Sequence, residues 1–193
     1  ELVVGDDRIR LVRIDDIDDH VWEIHHERSA QSRLYEALLA AGKDEAISDF
    51  GMRAYESLRL ERALPRWGVD YSIDATMEAA GLAHLVAMEK GEFEGRAAMV
   101  RRTSDEDGTV LRWLHVDDTA LRTEPWGGEV VEVDGKAVGM VTSGARGHTA
   151  NKSLAFAQID RAFAQTGTQV QIVILGERHT ALLTEKPSVS FSA

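Results

Sequence analysis

The sequence predicts an α+β fold, with strands and helices in the first hundred residues and a small antiparallel β-barrel in the remainder. Two helical patterns, over 29–41 and 44–64, follow two runs in which apolar and polar residues alternate. After about residue 108, short runs rich in β-forming residues are separated by turns that contain glycine. Short strands at such spacing are typical of all-β barrels and sandwiches.

The composition excludes several classes of function. The chain has 193 residues, no cysteine, and 22 Lys and Arg against 33 Asp and Glu, a net charge of -11. Without cysteine there is no disulfide scaffold, thiolate metal site or cysteine nucleophile. The acidic balance argues against nucleic-acid partners, and the lack of a long apolar run argues against a membrane span. We expect a cytoplasmic protein, or a mitochondrial matrix protein if the source is eukaryotic.

The first elements are two strands. Residues 8–14 alternate charged and apolar side chains, and residues 20–26 alternate again after the acidic break at 15–19. Side chains of neighbouring strand residues point to opposite faces. His25 and His26 therefore cannot chelate one metal ion, and we predict no metal site.

Two helices follow these strands. Ser29 is a candidate N-cap for the first, which Gly42 ends. The second spans 44–64 and stops at Pro65, because proline lacks a donor and disfavours a helical predecessor. Residues 75–88 are apolar with small side chains, and their pattern is compatible with either a helix or a buried strand.

The β-rich half contains six candidate strands separated by turn residues. The Asp134-Gly135 pair between two of the runs indicates a tight hairpin. The polar segment 103–108 marks the domain boundary, which gives predicted domains 1–102 and 103–193. The runs are 110–116, 129–133, 137–142, 153–158, 169–175 and 180–184.

The segment 141–155 carries an unusual density of polar side chains between two of these strands. We expect it to form a loop that holds four of these side chains. One interpretation is a tight hydrogen-bonded turn between barrel strands. The other is a contact for an anion or a substrate edge, made by cationic and amide donors. The side chains are Arg146, His148, Asn151 and Lys152.

Several motifs resemble one known family. Residues 51–61 (GMRAYESLRLE) followed by 64–70 (LPRWGVD) resemble the central motif of the glycine cleavage T-protein (aminomethyltransferase) family. The G-H-T-x-x-K-S form of 147–153 is closer to the folate modules of dimethylglycine and sarcosine dehydrogenases than to the free T-protein. The resemblance is collinear over nearly the whole chain. Further matching segments, in family order, are 78–82, 90–96, 126–129 and 134–136.

This resemblance implies a fold and a chemistry. The fold would be a partial ferredoxin-like folate-binding domain followed by the barrel. Tetrahydrofolate would accept a one-carbon unit from a small methylated amine or its iminium product. FAD, which would oxidise the amine, is expected only in a part of the protein that is not present here. The chain would then be part of a one-carbon transferase coupled to flavin-linked demethylation.

The resemblance also implies folate-binding residues. Glu23, in the family's G-[FYW]-E-I strand, matches a glutamate that binds the pterin edge, although a solvent-facing strand residue is the alternative interpretation. Tyr55 stands where T-proteins carry an arginine; it would stack on a folate ring or pack in the core. Trp67 matches an aromatic residue near the site, with the same two interpretations. Asp16 replaces the tyrosine of a family segment that precedes the glutamate strand.

No catalytic residue can be assigned. The family's catalytic aspartate is expected upstream of Glu1, while Asp70 and Asp74 match a structural turn. The alternative function is therefore a non-catalytic interaction or assembly subunit, which the aspartates of 15–19 favour. Half of a folate module would expose a sheet edge, so we also expect another polypeptide or self-association to cover it.

Overall fold

A computed structural model describes residues 2–14, 17, 20–102, 108–117 and 124–184. The chain divides into two compact units, Glu1–Tyr55 and Glu56–Ala193. The sequence predicts breaks at 15–19 and 103–108. The aspartates of the first segment and residues 103–107 of the second lie outside the described residues. Among the helices that are described, none is long and apolar enough to cross a membrane.

An antiparallel sheet opens the first unit. Its strands are β1 (Leu2–Val4), β2 (Asp7–Ile14) and β3 (Val21–His26), in that spatial order. The β2–β3 register places Val12 opposite Glu23. Both predicted strands form; burial largely alternates along β2, whereas the neighbouring Trp22 and Glu23 of β3 are both exposed.

The small core of the first unit lies against one face of this sheet. Ile9 from β2 packs there with Ala30 and Leu34. Burial of these apolar side chains supplies the favourable free energy that holds the helical segment on the sheet.

Helices of the structure only partly follow the sequence pattern. The first helix begins after a 3₁₀ turn at Arg28–Ala30, so Ser29 is not its N-cap, and it ends before Gly42 as predicted. The second is shorter than predicted at both ends, because residues 46–51 and 62–64 are not helical. Residues 75–88 form turns with a 3₁₀ segment at Ala83–Leu85. The helices are α1 (Gln31–Ala41), α2 (Met52–Glu61) and α3 (Arg96–Arg102).

The late start of α2 has a local cause. Ala46 adopts a left-handed backbone conformation with φ of 56°, which breaks a right-handed helix. The Gly51 carbonyl accepts the first hydrogen bonds of α2, from the backbone N–H groups of Ala54 and Tyr55. Ile47 and Phe50, which lie within the predicted helix but before its observed start, are exposed.

The second unit is built on a closed antiparallel barrel, as predicted. Within the described residues six strands close in the spatial order β4-β7-β6-β5-β8-β9, and the first strand pairs with the last. All six predicted runs correspond to strands. They are β4 (Thr109–Val116), β5 (Val130–Val133), β6 (Lys136–Gly147), β7 (Lys152–Asp160), β8 (Gln169–Ile174) and β9 (Glu177–Thr184).

The predicted hairpin joins β5 to β6. Asp134 and Gly135 have φ angles of 50° and 76°, the two positive values that a type I′ turn requires. The barrel interior is filled by the aliphatic side chains that alternate inward, among them Leu114, Ile159 and Leu183. The fold class expected from the sequence, α+β with an antiparallel barrel, is confirmed.

The segment 141–155 does not form the single loop that the sequence predicts. Strand β6 continues through Gly147, and only residues 148–151 form the turn. Arg146 and Lys152 are therefore strand residues that flank the turn, where Arg146 donates from Nη2 to Asn151 Oδ1 at 2.5 Å. The glycines of β6 were misleading as turn signals, because they allow other parts of the chain to approach the strand closely.

Candidate functional site

The predicted pterin-binding residue lies on an exposed strand face. Glu23 is in β3, and its side chain is 52% exposed. One carboxylate oxygen, Oε2, lies 2.9 Å from His25 Nε2, the residue on the same face two positions along. The carboxylate is thus oriented by a neighbour and open to solvent. Tyr55, in α2, is half-buried.

Trp67 follows α2 in the second unit, and its side chain is presented outward. The residue is 62% exposed, and its indole meets the Tyr71 ring edge to face at 5.5 Å between ring centres. A backbone bridge also joins Trp67 and Tyr71. This fixed and accessible aromatic face is a surface on which a planar ring can stack.

A buried carboxylate organises the segment that carries Trp67. Asp70 is 1% exposed. Its Oδ1 accepts hydrogen bonds from the hydroxyls of Thr142 and Ser143 on β6, at 2.6 and 2.5 Å. Its Oδ2 accepts from Arg59 Nη1 at 2.9 Å and from the Arg66 backbone N–H at 2.7 Å. Four donors therefore compensate the cost of burying this charge, and they tie the loop to the barrel.

The Arg59 guanidinium connects this carboxylate to α2. It is almost fully buried and forms ion pairs with both Asp70 and Glu56. It also donates to the Leu64 carbonyl at 3.0 Å. Arg66, in turn, pairs with the other oxygen of Glu56. The alternating charges form one network that fixes the end of α2 and the turn before Trp67.

A second buried carboxylate at the end of α2 holds the turn between β6 and β7. Glu61 is 1% exposed, and its Oε1 accepts from the backbone N–H groups of Thr149 and Ala150, at 2.6 and 2.9 Å. Gly147 permits this approach, since a Cβ there would lie 3.1 Å from Glu61 Oε1. The anion contact considered for 141–155 is thus made by the chain's own glutamate through backbone donors.

Sequence reasoning named the motifs that contain these buried charges but not their role. Asp70 was correctly assigned to a turn, whereas no role was predicted for Glu61 within the motif 51–61. No local signal identifies them, because the groups that make their burial favourable lie far away in sequence, on β6 for Asp70 and in the turn after β6 for Glu61.

A histidine on the barrel, His115, lies close to an aromatic side chain and to a lysine. His115 on β4 packs edge to face on Trp113, with ring centres 4.6 Å apart. Burial lowers the pKa of His115, and the positive charge of Lys152 lowers it further. Among the residues that the structure describes, no group of three or more His, Cys, Asp or Glu side chains is arranged to hold a metal ion.

Comparison with known protein families shows to which family this chain belongs. A model of the GCVT N-terminal domain matches residues 1–90, and a model of the glycine cleavage T-protein C-terminal barrel domain matches residues 110–189. The two matches occur in family order and together span most of the chain. The chain belongs to the glycine cleavage T-protein family. The second match coincides with the barrel seen in the structure.

Relatives within the T-protein family include two kinds of enzyme. Mouse (Mus musculus) mitochondrial dimethylglycine dehydrogenase is 32% identical over 96% of this chain, which spans 21% of that protein. An aminomethyltransferase from Symbiobacterium thermophilum is 33% identical over 86% of this chain, which spans 44% of that protein. The chain therefore spans about a fifth of the dehydrogenase and less than half of the transferase.

A solved structure from the T-protein family has the same architecture. It is the glycine cleavage system aminomethyltransferase T from Bartonella henselae, with a TM-score of 0.74 and 27% sequence identity. The similarity covers 87% of this chain and 46% of that chain.

Proposed function

We propose that this chain forms part of a tetrahydrofolate-dependent one-carbon transferase and supplies one wall of its folate site. The observation that carries the proposal is the exposed carboxylate of Glu23 on a strand within the region matched by the GCVT N-terminal model. A 2-amino-4-oxo pterin ring presents adjacent N–H donors along one edge. A carboxylate accepts such paired donors well, and His25 orients this one.

The aromatic residues are suited to the remaining part of folate. Trp67 offers an exposed indole face that Tyr71 holds in position. Tyr55 offers a half-buried ring for the pterin or the aminobenzoyl group. Flat ring systems gain contact area on such side chains at little cost in conformational entropy. We therefore assign Glu23 to the pterin edge and Tyr55 and Trp67 to ring contacts.

Bound tetrahydrofolate would supply the N5 amine that accepts the one-carbon unit. The proposed donor is a small methylated amine or its iminium product, with the oxidation carried out at a flavin in another part of the protein. The relationship to dimethylglycine dehydrogenase supports this coupling. The same relationship favours a mitochondrial matrix location for a eukaryotic source and a cytoplasmic one otherwise.

We also propose that a domain boundary lies at residue 103 and that another polypeptide or a second copy covers the first domain. The gap between the two family models, 91–109, supports the boundary. The residues of β1 support the partner, because Leu2 and Val3 are 50% and 68% exposed beside the edge of a sheet. This surface is also what favours the second candidate function, a non-catalytic interaction or assembly subunit.

Replacing Glu23 by Gln or Ala is expected to weaken folate binding by about 1–3 kcal/mol, because the pterin donors lose a charged acceptor. Quenching of tryptophan fluorescence by tetrahydrofolate measures the affinity. Glu177→Gln is the matched control, since Glu177 is also an exposed strand glutamate two positions before a histidine, on β9. Equal affinities for the wild-type chain and both Glu23 variants would contradict the assignment and favour the assembly function.

The 193-residue chain alone is expected not to transfer a one-carbon unit, even when it binds tetrahydrofolate. A positioned general acid or base typically contributes about 10²–10⁴-fold to such a reaction. Asp70 cannot take this role, because four donors engage its carboxylate in the structural network. Product formation from tetrahydrofolate and formaldehyde-derived iminium donors, followed against a no-protein control, is the measurement. Saturable turnover would overturn the expectation.

A further inference from the structure

A cavity of about 370 Å³ lies on the outer face of the barrel, where β4 runs between β7 and β9. Alternation along β4 places His115 on this face, because its neighbours Leu114 and Val116 belong to the barrel core. None of the proposed folate residues is among the lining residues that the structure describes. The volume lies within the range of small-molecule sites.

Lys152 brings a positive charge to this cavity. It is the first residue of β7, and it is exposed. Its charge acts on the imidazole of His115, which places the ammonium group near that ring. Within the described residues, no carboxylate forms an ion pair with the Lys152 ammonium group. The ammonium group can therefore take an anionic ligand without first losing a partner in the protein.

Two uncharged donors also line the cavity, from Asn151 and Thr180. Asn151 Oδ1 accepts a hydrogen bond from Arg146 Nη2 at 2.5 Å, which fixes the plane of the amide. The Thr180 carbonyl accepts from the Asp117 backbone N–H at 2.7 Å, which fixes the β9 side of the cavity. In the part of the chain that the structure describes, neither the Asn151 NH₂ group nor the Thr180 hydroxyl donates to a protein group. Both remain able to donate to a bound anion.

The imidazole of His115 senses charge in the cavity without serving as a contact through Nε2. That atom is buried and has no hydrogen-bond partner, and the ring packs edge to face on Trp113. Burial lowers the pKa of His115, and the positive charge of Lys152 lowers it further, so the ring is mainly uncharged at neutral pH. An anion on Lys152 offsets the lysine charge and thereby raises the pKa of His115 through space.

Asp117 and Leu182 restrict the kind of anion that fits. Asp117 lines the cavity and already interacts within the chain, and its negative charge disfavours a doubly charged ligand relative to a singly charged one. Leu182, on β9 opposite His115, is 44% exposed and gives the cavity an apolar wall. A short alkyl group placed against this wall would lose contact with water, which is favourable.

We propose that this cavity binds a small monocarboxylate, with the carboxylate group on the Lys152 ammonium and the apolar group against Leu182. Asn151 and Thr180 supply further donors to the carboxylate oxygens. One charged contact and one short apolar chain correspond to a dissociation constant in the millimolar range. The proposal rests on this cavity alone and does not depend on folate binding.

The test uses the whole chain, butyrate as the probe, and acetate and inorganic phosphate as comparison probes. NMR follows the ring protons of His115, whose signals are assigned by their loss in His115→Gln. Butyrate should raise the pKa of His115, and the effect should saturate at millimolar concentrations. Acetate should bind about threefold to tenfold more weakly because it lacks the longer alkyl chain, and phosphate should bind more weakly than butyrate.

Two substitutions in the lining separate the charge from the apolar wall. Lys152→Gln should raise the pKa of His115 in the absence of ligand, because the positive charge is removed, and should weaken butyrate binding by about tenfold or more. Leu182→Ala should keep acetate binding and bring the affinity for butyrate close to that for acetate, because the apolar wall is lost.

Lys136→Gln is the matched control, because Lys136 is also an exposed lysine at the first position of a barrel strand, outside the cavity lining. This variant should bind butyrate like the wild-type chain and leave the pKa of His115 unchanged. The proposal is overturned if butyrate at high millimolar concentrations does not change the pKa of His115, or if Lys136→Gln loses as much affinity as Lys152→Gln. Tighter binding of n-butylamine than of butyrate would also overturn it, since a cation would then occupy the cavity beside Asp117.

Discussion

Replacing Asp70 by alanine is expected to lower the free energy of unfolding by about 3–5 kcal/mol, the usual cost of breaking a buried ion pair from one side. The substitution leaves Arg59 buried without one of its carboxylates. It also removes the acceptor for the hydroxyls of Thr142 and Ser143. Each of these groups would then be desolvated without full compensation.

Urea denaturation monitored by tryptophan fluorescence measures this change. Asp70→Asn keeps the shape but loses the charge, and its NH₂ group meets donors on whichever side it faces, so it should also be clearly destabilised. Asp74→Ala is the matched control: this exposed aspartate in the same loop should change stability by no more than about 0.5 kcal/mol. Similar midpoints for Asp70→Ala and Asp74→Ala would refute a structural role for the Asp70 network.

Replacing Glu61 by alanine is expected to destabilise the chain by about 2–4 kcal/mol, because two backbone N–H groups lose a charged acceptor. The backbone N–H groups of Thr149 and Ala150 both donate to Glu61 Oε1. Their amide hydrogens should also exchange with solvent faster than in the wild-type chain. This second readout reports on the turn itself, whatever the overall change in stability.

Glu61→Gln separates the charge from the hydrogen bonds. The Gln side chain keeps a carbonyl acceptor, so this variant should lose less stability than Glu61→Ala and retain slow exchange at Thr149. Glu36→Ala, at an exposed position on α1, serves as the control for removal of a helical glutamate. If Glu61→Ala behaves like Glu36→Ala in both measurements, the buried carboxylate does not hold the turn.

The barrel could be predicted from sequence because its signals are local. Inward and outward residues alternate along each strand, and turn residues such as Asp134-Gly135 encode the backbone angles that a hairpin needs. Where these signals failed, a distant contact was responsible. Gly144 was interpreted as part of a loop, yet it lies within β6, where a Cβ would meet the Pro125 carbonyl oxygen at 2.5 Å. Such a requirement is set by another part of the chain.

The candidate site was predictable only as far as motif resemblance reaches. Glu23, Tyr55 and Trp67 came from matching positions in a known family, and their roles stay predictions. The burial of Arg59, Asp70 and Glu61 could not be derived, since some of their partners are up to 89 residues away in sequence. Charge alone predicts exposure for these residues, and only the packed structure supplies the partners that make burial favourable.

Closure of the barrel has a consequence for the order in which the newly made chain can fold. Strand β4 pairs with β9, so Trp113 finds its partner Thr184 only when synthesis has passed the last barrel strand. Glu61 likewise cannot form its hydrogen bonds until Thr149 and Ala150 have been synthesised. Contacts this distant in sequence slow folding and leave intermediates exposed. A ribosome that stops before β9 therefore releases an open sheet, with its inner apolar face uncovered, rather than a closed barrel.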